Sequence, residues 1–222
     1  TRPAKSRPSV YPGVITAGNV KKCQDFIAAN RAAFEYAENT FGVPKEIAVS
    51  LLFVETRLGT FLGKGKAFYM LASMAASREP EQIADVIATL PNADTRMDWI
   101  RSRMVQRSDW AYKELVALLK NVRSSGIDPM TMPGSIYGAV GLCQFMPSNI
   151  EYYGADGDGD GIVNLFTVPD AVASLSNYLK KHGWKPGLKR DRQQQILKSY
   201  NRINIYANTI LGLAEAQGYV AE

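Results

Sequence analysis

The stretch Pro44-Lys45-Glu46-Ile47-Ala48-Val49-Ser50-Leu51-Leu52-Phe53-Val54-Glu55-Thr56-Arg57 decides how this chain is read. Ile47, Ala48, Leu51 and Leu52 recur at the spacing of one helix face. Pro44 suits the first turn, where its missing N–H would have had no intrahelical partner. Glu55 follows Leu51 by four residues and Ala48 by seven, so it shares that apolar face. Burying an unpaired carboxylate is costly. Burial therefore favours the neutral acid and raises its pKa, which makes a proton donor able to work near neutral pH. Gly59, Gly63 and Gly65 follow closely and turn the chain, so the acid sits at a helix end beside a flexible wall. The competing reading is structural: such a Glu is often satisfied by a buried Arg or a backbone amide.

Outward from this segment the pattern is helical. Gly18 to Thr40 reads as one helix with Phe26, Ile27, Phe34 and Ala37 inward. Lys66 to Ala76 is rich in Ala, Met and Leu, and Pro80 opens a further helix to about Leu90. Asp94 has the character of a cap for a long helix from Thr95 to about Val122, ended by Ser124-Ser125-Gly126. Pro169 to Lys181 and Arg192 to Gln217 are the last helices, broken near Tyr200-Asn201. No internal repeat and no convincing run of alternating strands is present, so the class is mostly α. Residues 1–17 read as an N-terminal linker and 18–222 as the folded domain, with 66–125 a helical insertion or subdomain.

The composition sets limits. A chain of 222 residues supports one domain or slightly more. Hydrophobic residues make up 46% and charged residues 21%, the balance of an ordinary globular protein. No apolar run approaches the roughly 18 residues needed to span a bilayer. The net charge of +5 suits an anionic polymer. Nucleic acid is disfavoured, because no arginine-rich cluster or interleaving of basic and aromatic residues is present. Cys23 and Cys143 lack metal-ligand spacing, and the single histidine, His182, leaves little scope for a Cys/His nucleophile pair. A disulfide between the two cysteines stays open at this level.

Asp156-Gly157-Asp158-Gly159-Asp160-Gly161-Ile162-Val163-Asn164 is the strongest local motif. Oxygen donors at alternate positions, a glycine at the sixth and an apolar residue at the eighth match the EF-hand loop. Asp156, Asp158 and Asp160 would ligate calcium through side chains, Ile162 through its carbonyl, and Asn164 directly or through water. The twelfth position is Thr167 rather than Glu, and the next acid is Asp170. Either Asp170 closes a longer loop, or affinity is weak, or the segment is a turn without metal. A second glycine-rich stretch, Gly134 to Ser148, lacks the Gly-Lys-Ser/Thr of a phosphate loop. Its Ser135 and Gln144 could hydrogen-bond sugar hydroxyls. Downstream, Tyr178, Tyr200, Asn201 and Tyr206 offer flat apolar faces and polar tips that suit sugar rings, although each tyrosine alone also fits a core.

Together these segments resemble the lytic murein transglycosylase B family. The resemblance rests on Val54-Glu55-Thr56-Arg57 with Gly59 and Gly63, Gly138-Ala139-Val140-Gly141 with Gln144-Phe145-Met146-Pro147-Ser148, and the Asp156 to Asn164 loop. Asn177-Tyr178 with His182-Gly183-Trp184, and Tyr200-Asn201 with Tyr206, complete it in the same order. It implies a lysozyme-like α domain with an extra helical segment, in a monomer of the periplasm or bacterial cell envelope, its signal or lipid anchor removed. It also implies cleavage of the N-acetylmuramic acid–N-acetylglucosamine bond of peptidoglycan strands. Glu55 would be the single acid/base, and Ser135, Gln144, Phe145, Tyr178, Tyr200, Asn201 and Tyr206 the groove. The same resemblance favours Asp170 as the residue closing a structural calcium site. Leu58 stands where the family usually has an aromatic, and Cys143 where it has a small residue. The segment from Trp184 to Tyr200 is too short for the β-rich insertion of some relatives. A hydrolytic muramidase and a non-catalytic, calcium-stabilised glycan binder are the alternatives.

Overall fold

The computed structural model describes residues 9–221; the expected linker therefore lies outside the described residues as far as Pro8. Along the chain run α1 (Ala17–Ala29), α2 (Arg31–Phe41), α3 (Lys45–Thr56), β1 (Gly65–Lys66) and α4 (Ala67–Ala76). Next come α5 (Ala84–Ala88), α6 (Met97–Ser125), β2 (Pro133–Gly134) and α7 (Pro147–Tyr153). The chain ends with α8 (Val168–Lys181), α9 (Arg190–Tyr200) and α10 (Asn204–Ala216). The mostly helical class is observed. Among the described residues two compact units form: residues 9–61 with Gly141–Cys143 and residues 153–221, and Leu62–Val140 with Gln144–Tyr152. Residues 66–125 fall within the second unit.

In the first unit α3 is the central element, packed by α1, α2, α8 and α10. Its burial goes beyond the single face expected from spacing. Ile47, Ala48, Leu51 and Leu52 are buried, but so are Val49, Ser50 and Phe53. A helix apolar on most sides has to be surrounded by other elements. The hydroxyl of Ser50 is accommodated by accepting from Gln217 Nε2 at 2.9 Å.

The expected helix from Gly18 to Thr40 is two helices. Asn30 Nδ2 donates to the Phe26 carbonyl at 2.9 Å and takes one of the last carbonyls of α1, while the Asn30 carbonyl accepts from Ala33 to start α2. Asparagine competes in this way with helix propagation. α2 ends at Gly42 in the left-handed region, φ 70°, a position that suits a residue without Cβ.

In the second unit α6 packs along α4, and Ser108 Oγ fastens them by donating to Ala75 O at 2.6 Å. The expected helix after Pro80 is a 3-10 turn, Pro80–Ile83, followed by the short α5. α6 begins at Met97, after a 3-10 turn over Asp94–Arg96, and ends at Gly126 with φ 67°. One antiparallel pair, Gly65 with Gly134 and Lys66 with Pro133, was not foreseen. Two-residue strands carry no alternation to read. Gly134 is tight here: a Cβ would lie 2.8 Å from that of Ala67.

Candidate active site

Glu55 occupies the last turn of α3, and the chain reverses immediately after it. Arg57, Leu58 and Gly59 are all left-handed, with φ of 50°, 61° and 85°. Arg57 N donates to Phe53 O at 2.9 Å and Leu58 N to Leu52 O at 3.3 Å, which satisfies carbonyls at the helix end. Thr56, buried beside the acid, ties the turn. Its Oγ1 donates to Leu142 O at 2.8 Å and accepts from Gly59 N at 3.0 Å. Leu142 N in turn donates to Leu165 O at 2.8 Å.

The Glu55 carboxyl meets one specific partner: Tyr206 OH, on the first turn of α10, donates to its Oε1 at 2.5 Å. Among the described residues no cation pairs with it, and Arg57 instead sets its guanidinium 5.7 Å from the Phe53 ring centre. Burial pushes the Glu55 carboxyl up from 4.5 to about 7, while the Tyr206 hydrogen bond pulls in the opposite direction. Burial and the neighbouring Glu55 hold the Tyr206 phenol well above its ordinary value. Tyr206 is therefore neutral and acts as a donor.

An aromatic train backs this pair within the first unit. The rings of Tyr206 and Tyr200 stack at 6.4 Å, Tyr200 meets Tyr178 edge-on at 4.9 Å, and Tyr178 stacks on His182 at 4.0 Å. Tyr200 OH donates to the Cys143 carbonyl, and Tyr178 OH to Ser199 O at 2.8 Å. Asn201, half-buried, is the C-cap of α9. Both cysteines are buried thiols rather than a disulfide, and burial pushes Cys23 up to about 12. His182 Nδ1 lies 2.8 Å from Tyr178 O, at the end of α8.

The second unit carries Ser135, Gln144 and Phe145. Ser135 Oγ accepts from Tyr137 N at 3.2 Å and Ala139 N at 3.0 Å, so it shapes its own turn and keeps its proton to donate. Gln144 is half-buried and left-handed, φ 52°, and Phe145 is buried. Val140 and Phe145 exchange both backbone hydrogen bonds, at 2.8 and 3.1 Å, which sets the hairpin carrying Gln144. Asp128 accepts from Met130 N in a surface turn.

The acidic loop folds around Asp170. Asp156, Asp158 and Asp170 bring carboxylate oxygens within 4.8 Å of one another. Asp170 is buried and accepts from Gly157 N and Asn164 N, both at 2.7 Å. Thr167 is turned elsewhere, donating to Asn164 O at 2.9 Å. Asp160 Oδ1 accepts from Ile162 N at 2.7 Å, and Asn164 Oδ1 from Phe166 N at 3.0 Å. Three converging carboxylates, one of them buried, are a donor set suited to a hard divalent cation. Gly157 packs too closely for any side chain, since its Cβ would lie 2.3 Å from Pro169 O.

The sequence pointed to Glu55, Tyr200 and Tyr206, but not to their contacts. Tyr206 is a hydrogen-bond partner of the acid, and Thr56 is a tether. The signal for Thr56 was a hydroxyl residue following the acid on a buried helix, which spacing alone does not interpret.

Comparison with known proteins identifies the family of the chain. The family model described as "Transglycosylase SLT domain" matches residues 3–196. The membrane-bound lytic murein transglycosylase B of Escherichia coli (strain K12) is 35% identical over 173 residues, covering 78% of this chain and 41% of that protein. The chain thus spans about two fifths of the length of that curated relative. The crystal structure of the soluble lytic transglycosylase SltB1 of Pseudomonas aeruginosa superposes with a TM-score of 0.77 at 24% identity, covering 98% of this chain and 85% of the other. That of the E. coli lytic transglycosylase Slt35 in complex with calcium gives 0.72 at 25% identity, covering 92% and 75%.

Proposed function

The chain belongs to the transglycosylase SLT domain family, and from that premise we propose that it is a peptidoglycan lytic transglycosylase of the cell envelope using Glu55 as acid and then base. The observation that carries the reading is a carboxyl raised to about 7, touched by a neutral phenol and by no cation among the described residues. Such a group holds its proton near neutral pH and gives it up readily, as both halves of an acid–base cycle demand.

The reaction follows from that single acid. Glu55 donates its proton to the oxygen of the glycosidic bond as the bond to C1 of N-acetylmuramic acid breaks. The substrate's own acetamido group stabilises the electron-poor C1. The C6 hydroxyl oxygen then bonds to C1, its proton passes to Glu55, and a 1,6-anhydro ring closes. No water is consumed, and the carboxyl ends as it began. Glycosidases with two carboxyl groups place the second one to serve water or C1; here the substrate supplies both nucleophiles. Tyr206 donates to the ionised form between the two transfers. Tyr200 and Asn201 of the first unit, half-buried, would meet sugar hydroxyls, as would Ser135 and the half-buried Gln144 of the second. Phe145, Tyr178 and Tyr206 are buried and would hold the groove wall from behind.

Calcium fits the Asp156, Asp158 and Asp170 carboxylates, with Asp160, the Ile162 carbonyl and Asn164 as further ligands. The ion would neutralise repulsion between these acids and anchor the start of α8, outside the chemistry. Residues 18–222 would form the catalytic domain, with 66–125 its helical insertion.

Digestion of purified cell walls, followed by mass spectrometry, tests the reading. Anhydro ends from the native chain and none from Glu55→Gln are expected. Reducing ends would mean a hydrolytic muramidase, and native-rate release of anhydro ends by Glu55→Gln would remove Glu55 from the chemistry.

A further inference from the structure

Glu114 is a buried acid that the chemistry does not use. It lies within α6 and is 6% exposed. One residue occupies both oxygens of its carboxyl group: Ser148 N donates to Oε2 at 2.9 Å and Ser148 Oγ to Oε1 at 2.8 Å. Among the described residues no lysine, arginine or histidine forms an ion pair with it. Two turns further along α6, Asn121 Nδ2 donates to Ala117 O at 3.0 Å and to Pro147 O at 3.3 Å. α6 thus grips two consecutive residues at the start of α7, and all four residues belong to the second unit.

Joining two helices does not need an acid. A polar side chain buried this deeply is costly unless its hydrogen bonds are made. Elsewhere on α6, the neutral hydroxyl of Ser108 is enough to tie the helix to α4. At Glu114, two directed bonds to one residue fix both the backbone amide and the side chain of Ser148. What lies beside that amide gives the fixing its purpose. Gln144 precedes Ser148 by four residues and is left-handed, φ 52°. A residue other than glycine stays in that region only where its surroundings over-determine it. One determinant is the paired backbone hydrogen bonding of Val140 with Phe145, the residue next to Gln144. The other is Pro147, whose ring fixes φ, followed by Ser148 held on Glu114. Met146 alone separates the two fixed points.

We propose that Glu114 is a positioning residue for glycan binding: by latching Ser148 it holds the segment from Phe145 to Ser148 and fixes the direction in which Gln144 presents its amide. The inference rests on the proposed function above, in which Gln144 meets a sugar. Without the latch the Val140–Phe145 pair remains, but Gln144 relaxes out of the left-handed region and its amide turns away from the sugar. Glu114 is buried and acts through Ser148, not by touching the glycan. Its loss is felt in substrate affinity, because the contact it supports is made in the bound ground state as well as during the reaction.

The test uses the full chain and soluble, uncrosslinked peptidoglycan strands. Binding is measured by calorimetry in the Glu55→Gln background, and turnover is measured with Glu55 in place. Glu114→Ala should weaken strand binding by about tenfold and raise KM by a similar factor, with kcat changed by no more than about twofold. Glu114→Gln should return both to native values, because its amide oxygen accepts from Ser148 N and its NH2 group donates to Ser148 Oγ. Ser108→Ala is the control: it removes a buried tie of α6 in the same unit and should lower the melting temperature without moving affinity or KM. If Glu114→Ala does not fold, Ser148→Ala decides, since it removes the Oγ bond alone and should raise KM in the same direction. Native affinity and KM in Glu114→Ala overturn the proposal and leave Glu55 in its role. So does an equal rise in KM from Ser108→Ala, or a loss of kcat at unchanged KM, or no recovery in Glu114→Gln. Reducing ends in place of anhydro ends would overturn the transglycosylase reading and not this inference, because strand binding is measured without turnover. Strands that the Glu55→Gln chain does not bind would overturn both.

Discussion

Replacing Glu55 by Gln should make the protein more stable at alkaline pH and nearly unchanged in acid. The carboxyl moves from an ordinary 4.5 to about 7 on folding, chiefly through burial. The folded chain therefore holds this proton more tightly than the unfolded one. Below about pH 4.5 both states are protonated, and the stability associated with the raised value is fully present. As the pH climbs from there through about 7, the unfolded chain ionises first and that stability is lost. The distance between the two values corresponds to about 3 kcal/mol. Glutamine keeps the shape and the acceptor for Tyr206 but does not titrate. Every other group is common to both proteins and cancels in the difference. Urea unfolding followed by circular dichroism at about pH 4 and about pH 8.5, at fixed calcium, measures it. The advantage of Glu55→Gln over the native chain should be larger by about 3 kcal/mol at the higher pH. The same variant should lose turnover by a factor on the order of a hundred to ten thousand. A stability difference that is the same at both pH values would mean that folding does not raise the pKa of the half-buried Glu55.

Three further outcomes follow from single contacts. Tyr206→Phe removes the hydrogen bond that lowers the Glu55 pKa, so the alkaline limb of the pH–rate profile should move up by about one to two pH units; an unmoved limb would exclude Tyr206 as its partner. Thr56→Val strands the Leu142 carbonyl and the Gly59 N–H and should cost about 1–3 kcal/mol, whereas Thr56→Ser should keep most of the native melting temperature; equal stability of the two variants would contradict the tether. Calcium should raise the melting temperature of the native chain and chelator lower it, while Asp170→Asn should blunt the response; an unchanged calcium midpoint would place the ion elsewhere.

How much of this could be read from sequence depends on how local the determining interaction is. Helix α3 and its acid were legible because Ile47, Ala48, Leu51, Leu52 and Glu55 sit within three turns of one another. The same spacing did not reveal that Val49, Ser50 and Phe53 are buried too, because that depends on helices arriving from distant parts of the chain. The break at Asn30 turns on one side-chain hydrogen bond to Phe26 O, which competes with propagation and leaves the apolar period intact. Tyr206 lies 151 residues from Glu55, so no window of sequence contains the pair. The acidic loop was legible as a set of closely spaced carboxylates, of which Asp156, Asp158 and Asp170 converge. That Asp170 and not Thr167 faces its centre depends on how α8 begins, with the Thr167 hydroxyl already committed to Asn164 O.

The turn after Glu55 explains why the acid keeps its character. An uninterrupted helix would stack Leu58 and Gly59 against Glu55 at i+3 and i+4. It would fill the space beside the carboxyl with the chain's own atoms. The chain instead takes three successive left-handed residues, although Gly59 alone of them lacks a Cβ. Such positions cost of order 1–3 kcal/mol each for non-glycine residues and persist when surrounding contacts hold them. Those contacts are the Thr56 hydroxyl bridging Gly59 and Leu142, and the Arg57 and Leu58 amides closing the helix end. The turn also settles the fate of Arg57, whose guanidinium is sent to the Phe53 ring. Beside Glu55 that cation would favour the ionised carboxylate and bring its pKa back toward the ordinary range. The backbone strain at Arg57 and Leu58 and the raised pKa of Glu55 are thus two consequences of one local choice, to end the helix one residue after the acid.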